Sequence, residues 1–324
     1  MCSAVWDFHQ GRAALTTQPS TRPKAPTRDV GRPWQQPTHS GKFVPMTDIE
    51  PPSTRPLPRV AYSSVLACTD GLHGITPALQ VARHLATALA LPLHVVHAQL
   101  GRSPSAQEQR THAEQQATGL GARFQTIQAT EGVLWDVANP LLQACVADSG
   151  ALPVLATNRS SLAARALLGS VSSAVVRGLR RPVALLGPDT RPPSTTYRRV
   201  VALTDGSELS EAAFPIAVGL AQDLCVPLWL ITVAGRQRGE VPRLRNLASD
   251  LATIGVVVHW ETLEGPTPAE VIIDYASRSA DTVTVGATHG HSAVRELVLG
   301  STIAEVVRHA VGPVVTIRPF HSST

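Results

Sequence analysis

The chain repeats itself, and this repetition limits what it can fold into more than any other feature. Cys68-Thr69-Asp70-Gly71 is answered by Leu203-Thr204-Asp205-Gly206, 135 residues further on. Glu131-Gly132 is answered by Glu264-Gly265 at 133 residues, Gly169-Ser170 by Gly300-Ser301 at 131, and Pro182-Val183 by Pro313-Val314 at the same 131. Landmarks that keep their order and nearly their spacing mark a duplicated domain. A Pro-rich joint at about 188–196, carrying Pro188, Pro192 and Pro193, separates the copies. The expected domains are residues 58–188 and 197–319. A length of 324 residues suits two domains of moderate size. Hydrophobic residues make up 43% of the chain but aromatics only 4%, so both cores must be packed mainly with Ala, Val and Leu.

Residues 1–57 stand apart from the repeat. Pro19, Pro23, Pro26, Pro33, Pro37, Pro45, Pro51, Pro52 and Pro56 recur among Thr, Ser, Gln and Arg, with little apolar material between them. A segment of that composition buries too little surface to offset its ordering entropy, and a disordered tail is expected. Asp7, His9 and Gln10 interrupt any apolar core of a signal peptide, and no run approaches 18 apolar residues. A cytoplasmic protein without a membrane partner is the expectation. The net charge of +4 comes with no stripe of Lys and Arg interleaved with aromatics, so nucleic acid is not an expected partner.

Within each copy, short apolar runs alternate with helical patterns. In the second copy the runs are Arg199–Thr204, Pro227–Val233, Val256–Thr262, Thr282–Gly286 and Val314–Arg318. Helical stretches are predicted at Ser207–Cys225, Val241–Ile254, about Pro268–Arg278 and Ser301–His309. The first copy follows suit, from Val60–Cys68 to Pro182–Leu186. Continuous apolar strands, each followed by a helix, mean a parallel sheet covered on both faces. With right-handed crossovers, the result is an α/β fold of two tandem, doubly wound, Rossmann-like domains of five strands each.

In such sheets ligands bind beyond the carboxyl ends of the strands, where the winding reverses. In the second copy the first strand ends at Thr204-Asp205-Gly206 and the fourth at Gly286-Ala287-Thr288-His289-Gly290. If those strands are neighbours, the Asp and the Gly-rich loop share one crevice. Nine residues, His291–Leu299, then lead to Gly300-Ser301-Thr302 at a helix start. A Gly there lets backbone N–H groups approach phosphate oxygens, and the helix end and two hydroxyls favour an anion. Asp205 suits hydrogen bonds from a ribose or a metal held on the phosphates. It also suits a plain turn and helix cap with Ser207 and Glu208.

Other chemistries lack their residues. No G-x-x-x-x-G-K-[ST] loop, G-x-S-x-G elbow or C-x-x-C pair occurs. His289 and His291 alone do not make a metal site. Cys68 and Cys225 lie in apolar context and read as inert core thiols. No catalytic residue is expected.

Ala287-Thr288-His289-Gly290, nine residues and Gly300-Ser301 resemble the nucleotide motif of the ATP-binding universal stress proteins, Gly-x-x-Gly, nine residues, Gly-Ser/Thr. The resemblance runs over about 59–187 and 198–319 and includes the strand-Thr-Asp-Gly openings and the closing Pro-Val strands. It implies a strand order of 3-2-1-4-5. It implies a nucleotide site at Leu203, Thr204 and Asp205, with Val233 beside the adenine, Ala287 in the motif loop, and His289 and Gly290 near the phosphates or ribose. Gly300, Ser301, Thr302 and Ile303 would lie at the helix start. The first copy keeps Asp70, Gly169 and Ser170, but its motif reads Ala156-Thr157-Asn158-Arg159, with Arg159 where a glycine belongs. Arg159 either pairs with a phosphate or fills the nucleotide's space. Ala287 replaces the first motif glycine, at a cost of about 1–2 kcal/mol if that position is left-handed.

The function implied is an ATP-binding regulatory protein of the stress response, with or without Mg2+ on the nucleotide, and at most a slow hydrolase. The alternative is an interaction scaffold whose pockets are degenerate. The closing strands Pro182–Leu186 and Pro313–Ile317 are apolar, and by resemblance they lie at sheet edges. They are expected to pair the two copies, within one chain or between two.

Overall fold

A computed structural model of the chain describes residues 61–69, 76–129, 135–157, 170–179, 181–233, 240–252, 255–265, 267–288 and 301–318. All lie within one compact unit, Phe43–Thr324. The expected tail, 1–57, lies outside the described residues.

The first half runs β1 (Ser64–Thr69), α1 (Pro77–Ala88), β2 (Leu93–Leu100), α2 (Pro104–Gly119), β3 (Arg123–Ala129), α3 (Trp135–Ala147), β4 (Ala151–Ala156), α4 (Ser170–Gly178) and β5 (Val183–Leu186). The second runs β6 (Arg199–Leu203), α5 (Glu208–Glu211), α6 (Phe214–Leu224), β7 (Leu228–Val233), α7 (Glu240–Ala252), β8 (Val258–Leu263), α8 (Pro268–Ala276), β9 (Thr282–Ala287), α9 (Ser301–His309) and β10 (Val314–Ile317). Several helix starts follow one recipe. Thr76, Ser103 and Thr267 are N-caps whose hydroxyls accept from the backbone N–H three residues on, and each is followed by a proline. The turn before the second strand of each half is also shared. Ala90 and Cys225 both adopt the left-handed conformation, with φ of 54° and 55°, and each precedes an apolar residue and a proline.

The predicted helix Ser207–Cys225 is two helices. Proline 215 lacks an N–H, and its ring would clash with the carbonyl four residues back, at Glu211. The first turn therefore ends at Glu211, and α6 starts afresh with Pro215 in its first turn, where the missing donor costs nothing.

The strands form one sheet in the order β3-β2-β1-β4-β5-β10-β9-β6-β7-β8. Each half has the 3-2-1-4-5 order, and neighbours within a half are parallel. The halves meet through their closing strands, as expected. β5 and β10 pair antiparallel, with Leu185 opposite Val314, Ala184 opposite Val315 and Val183 opposite Thr316. This single antiparallel step inverts the second half, so the carboxyl ends of the two parallel sets lie at opposite ends of the sheet. The joint is tied further by Arg191 N donating to Val311 O at 2.9 Å and by Thr190 Oγ1 donating to Ala310 O at 3.2 Å. Gly187 allows this approach, because a Cβ there would sit 1.8 Å from the Val307 carbonyl oxygen.

Alternation along the strands divides the core between two faces. Val65, Ala67, Val200, Ala202 and Val315 face α1, α2, α6 and α7. Leu66, Val201, Leu203 and Val314 face α3, α4, α8 and α9. Both clusters run across both halves. The central strands are continuously buried, whereas β3 and β8, at the outer edges, are half-covered and more polar.

Candidate functional site

β6 and β9 are parallel neighbours, paired from Arg199 opposite Thr282 to Ala202 opposite Val285. The chain leaves β6 toward β7 on one side and reaches β10 from β9 on the other. The winding therefore reverses between them, which is where this class of sheet opens a crevice. The crevice floor is apolar. Leu203 (6% exposed) ends β6, Ala287 (7%) ends β9, and Ile303 (7%) lies in the first turn of α9. Gly286 brings these elements together. A Cβ added to it would meet Ile303 Cδ1 at 2.5 Å, with Leu203 Cβ 3.9 Å away. Val233, at the end of β7, is half-buried against the same cluster. Thr302 is half-buried in the first turn of α9. Thus Leu203, Val233, Ala287, Thr302 and Ile303 come together at one end of the sheet. Gly286 stands one place before the motif's first position, which Ala287 holds.

The rim beside β6 is polar and ordered. Thr204 N extends the ladder to Ile231 O at 2.9 Å. The Thr204 hydroxyl accepts from Gly206 N at 3.0 Å and lies 2.9 Å from Ser210 Oγ. Asp205 is exposed, and its Oδ1 accepts from Ser207 N at 3.0 Å and from Ser207 Oγ at 2.6 Å. Ser207 Oγ in turn accepts from Ser210 N at 3.1 Å and caps α5. Gly206 makes the turn with φ of 77°. Asp205 therefore has a structural role in the turn and cap.

Asp70, Gly169, His289, Gly290 and Gly300 lie outside the described residues, as does Arg159. Ser170 and Ser301 are the first residues of α4 and α9, which places the two serines at equivalent helix starts. In the first half Cys68 occupies the place of Leu203, and Ser172 that of Ile303. Ser172 is buried and donates to Ala156 O at 3.1 Å, so a hydroxyl bound to the strand end replaces an apolar floor residue.

The thiols differ from expectation. Cys225 is exposed because its left-handed backbone ends α6 at the surface, so it is not a core residue. Cys68 is half-buried, and Cys145 is the buried cysteine. Among the described residues, no helix is long and apolar enough to cross a membrane.

Residues 236–318 match the family model described as the universal stress protein family. A universal stress protein of Synechocystis sp. is 29% identical over 154 residues, which cover 47% of this chain and 52% of the relative. The match thus spans about half of that relative's length. A universal stress protein of Mycobacterium tuberculosis is 30% identical over 190 residues, covering 53% of this chain and 63% of the relative. Among solved structures, a universal stress protein from Archaeoglobus fulgidus superposes with a TM-score of 0.60 at 20% identity, covering 79% of this chain and 97% of that one. That likeness is one of fold. The duplicated 3-2-1-4-5 sheet and these matches agree: residues 236–318 match the universal stress protein family, and the two halves together share the fold of a solved universal stress protein.

Proposed function

We propose that the second half binds an adenine nucleotide, ATP in the first place, and that the protein acts as a cytoplasmic regulator of the stress response rather than as an enzyme. The observation that carries this reading is the gathering of Leu203, Gly286, Ala287 and Ile303 at the winding reversal, with the start of α9 beside it. An apolar floor suits a purine face, and a helix start suits its phosphates. Gly300, Ser301 and Thr302 would meet the phosphates, with His289 and Gly290 near them or the ribose. Asp205 would meet the ribose or a Mg2+ ion. Asp70, Gly169 and Ser170 would form a weaker counterpart in the first half, where Ser172 replaces an apolar floor residue and the sequence has Arg159 in place of a motif glycine. Because the halves are inverted, the two crevices open at opposite ends of the sheet and cannot share one ligand.

One observation favours an interaction scaffold instead: Asp205 Oδ1 already serves Ser207 and the cap of α5. Chromatography of the supernatant from heat-denatured, freshly purified protein separates the two readings. Co-purified adenine nucleotide supports the first. Protein that carries none and does not bind ATP when titrated supports the second.

A further inference from the structure

We infer that Gly286 is a positioning residue for the ligand of the β6/β9 crevice: through Ile303 it seats the first turn of α9 on the sheet. The inference rests on the nucleotide reading above. Two equivalent bonds bring the halves into register. Thr157 N donates to Leu186 O at 2.8 Å, and Thr288 N donates to Ile317 O at 2.9 Å. Counting back two residues from each threonine pairs Leu155 with Gly286. Ser170 and Ser301 open α4 and α9, so the third residues of these helices, Ser172 and Ile303, also correspond. Strand and helix have therefore exchanged their large side chain. In the first half the strand carries it, as the buried Leu155, and the helix carries the small Ser172. In the second half the helix carries it, as Ile303, and the strand carries none.

The exchange changes how the helix start is held. The buried Ser172 donates to Ala156 O at 3.1 Å, a polar tie between α4 and the end of β4. Ile303 has no donor for such a tie, and its fit over Gly286 stands in the same place. A Cβ on Gly286 would lie 2.5 Å from Ile303 Cδ1, 3.6 Å from Ile303 Cγ1 and 3.9 Å from Leu203 Cβ. Glycine inside a strand weakens it, and Gly286 is not among the glycines of positive φ, so close approach of the helix is what it serves. A β-branched side chain on a helix is confined to essentially one χ1 rotamer. Bulk at Gly286 therefore displaces Ile303 together with its turn, and that turn holds Ser301 and Thr302, which would meet the phosphates.

The test measures urea midpoints and the affinities for labelled ATP and labelled adenosine in the full chain and its variants. Gly286→Val should weaken ATP about tenfold or more, while adenosine, which has no phosphates, loses much less. A merely structural role would weaken both alike or neither. Adding Ile303→Ala to Gly286→Val moves the bulk from helix to strand, as the first half has it. The double variant should recover most of the ATP affinity and of the urea midpoint that Gly286→Val loses. Gly286→Ala adds a single methyl and keeps the test valid if Gly286→Val does not fold, with a smaller loss in the same direction. The inference alone is overturned if wild type binds ATP and folded Gly286→Val binds it equally well. It is equally overturned if ATP and adenosine weaken by the same factor, or if the double variant regains stability without ATP affinity. Wild-type protein that binds no ATP overturns the nucleotide reading, and this inference with it.

Discussion

At the scale of residues, two of the described positions carry backbone strain, and one would carry two roles if the proposed nucleotide binds. Ala90 and Cys225 hold positive φ with a Cβ attached, a conformation that glycine adopts without penalty. Ala90→Gly and Cys225→Gly should each stabilise the fold by about 0.5–1 kcal/mol in urea denaturation. A loss of stability in both would contradict the strain account. At Asp205 the cap of α5 and the proposed nucleotide would compete for one carboxylate. Asp205→Asn keeps an Oδ1 that accepts from Ser207, so stability should hold, while Asp205→Ala should lose about 0.5–1.5 kcal/mol. Both should weaken ATP several-fold. If the Asn variant binds ATP as wild type does, the carboxylate serves the cap alone. Leu203 and Ile303 entered through the family resemblance, and neither residue type announces an apolar floor by itself. The engagement of Asp205 by Ser207 was present in the sequence as a cap signature, which a nucleotide site and a plain turn share.

At the scale of elements, strands were easier to read than helix interruptions. Runs such as Thr282–Ala287 are buried on both faces, as a covered parallel sheet requires. The break at Ala212–Ala213 was missed because the apolar pattern continues through it, and only Pro215 marks the stop. The edge strands read as weaker for a physical reason: they have one neighbour and less helix above them. On β8, His259 stacks on Trp229 with ring centroids 4.5 Å apart, and burial holds its imidazole below the usual 6.5. Its folded value lies below the unfolded one, so the unfolded chain takes up the proton first on acidification. Stability from this residue is complete above pH 6.5 and is lost as pH falls through the folded value. His259→Phe keeps the stack and should flatten the decline in stability below that pH, measured by urea midpoints. An unchanged decline would place its origin elsewhere.

At the scale of the molecule, duplication was legible from four landmarks, but the inversion of one half against the other was not. It arises from a single antiparallel pairing, β5 with β10, between strands that look alike in sequence. Both core clusters cross that joint. The two halves should therefore unfold together, with far-ultraviolet circular dichroism and tryptophan fluorescence tracing one coincident transition in urea. Two separated transitions would show that the joint does not couple the halves.

The central claim, a nucleotide at the β6/β9 crevice, is tested most directly by titrating labelled ATP into the wild-type protein, Gly300→Val and Gly169→Val. The account predicts saturable binding by wild type, a loss of about tenfold or more, roughly 1.4 kcal/mol, in Gly300→Val, and a much smaller effect in Gly169→Val. Folded wild-type protein that binds no ATP at millimolar concentration, or equal losses in the two variants, would contradict it.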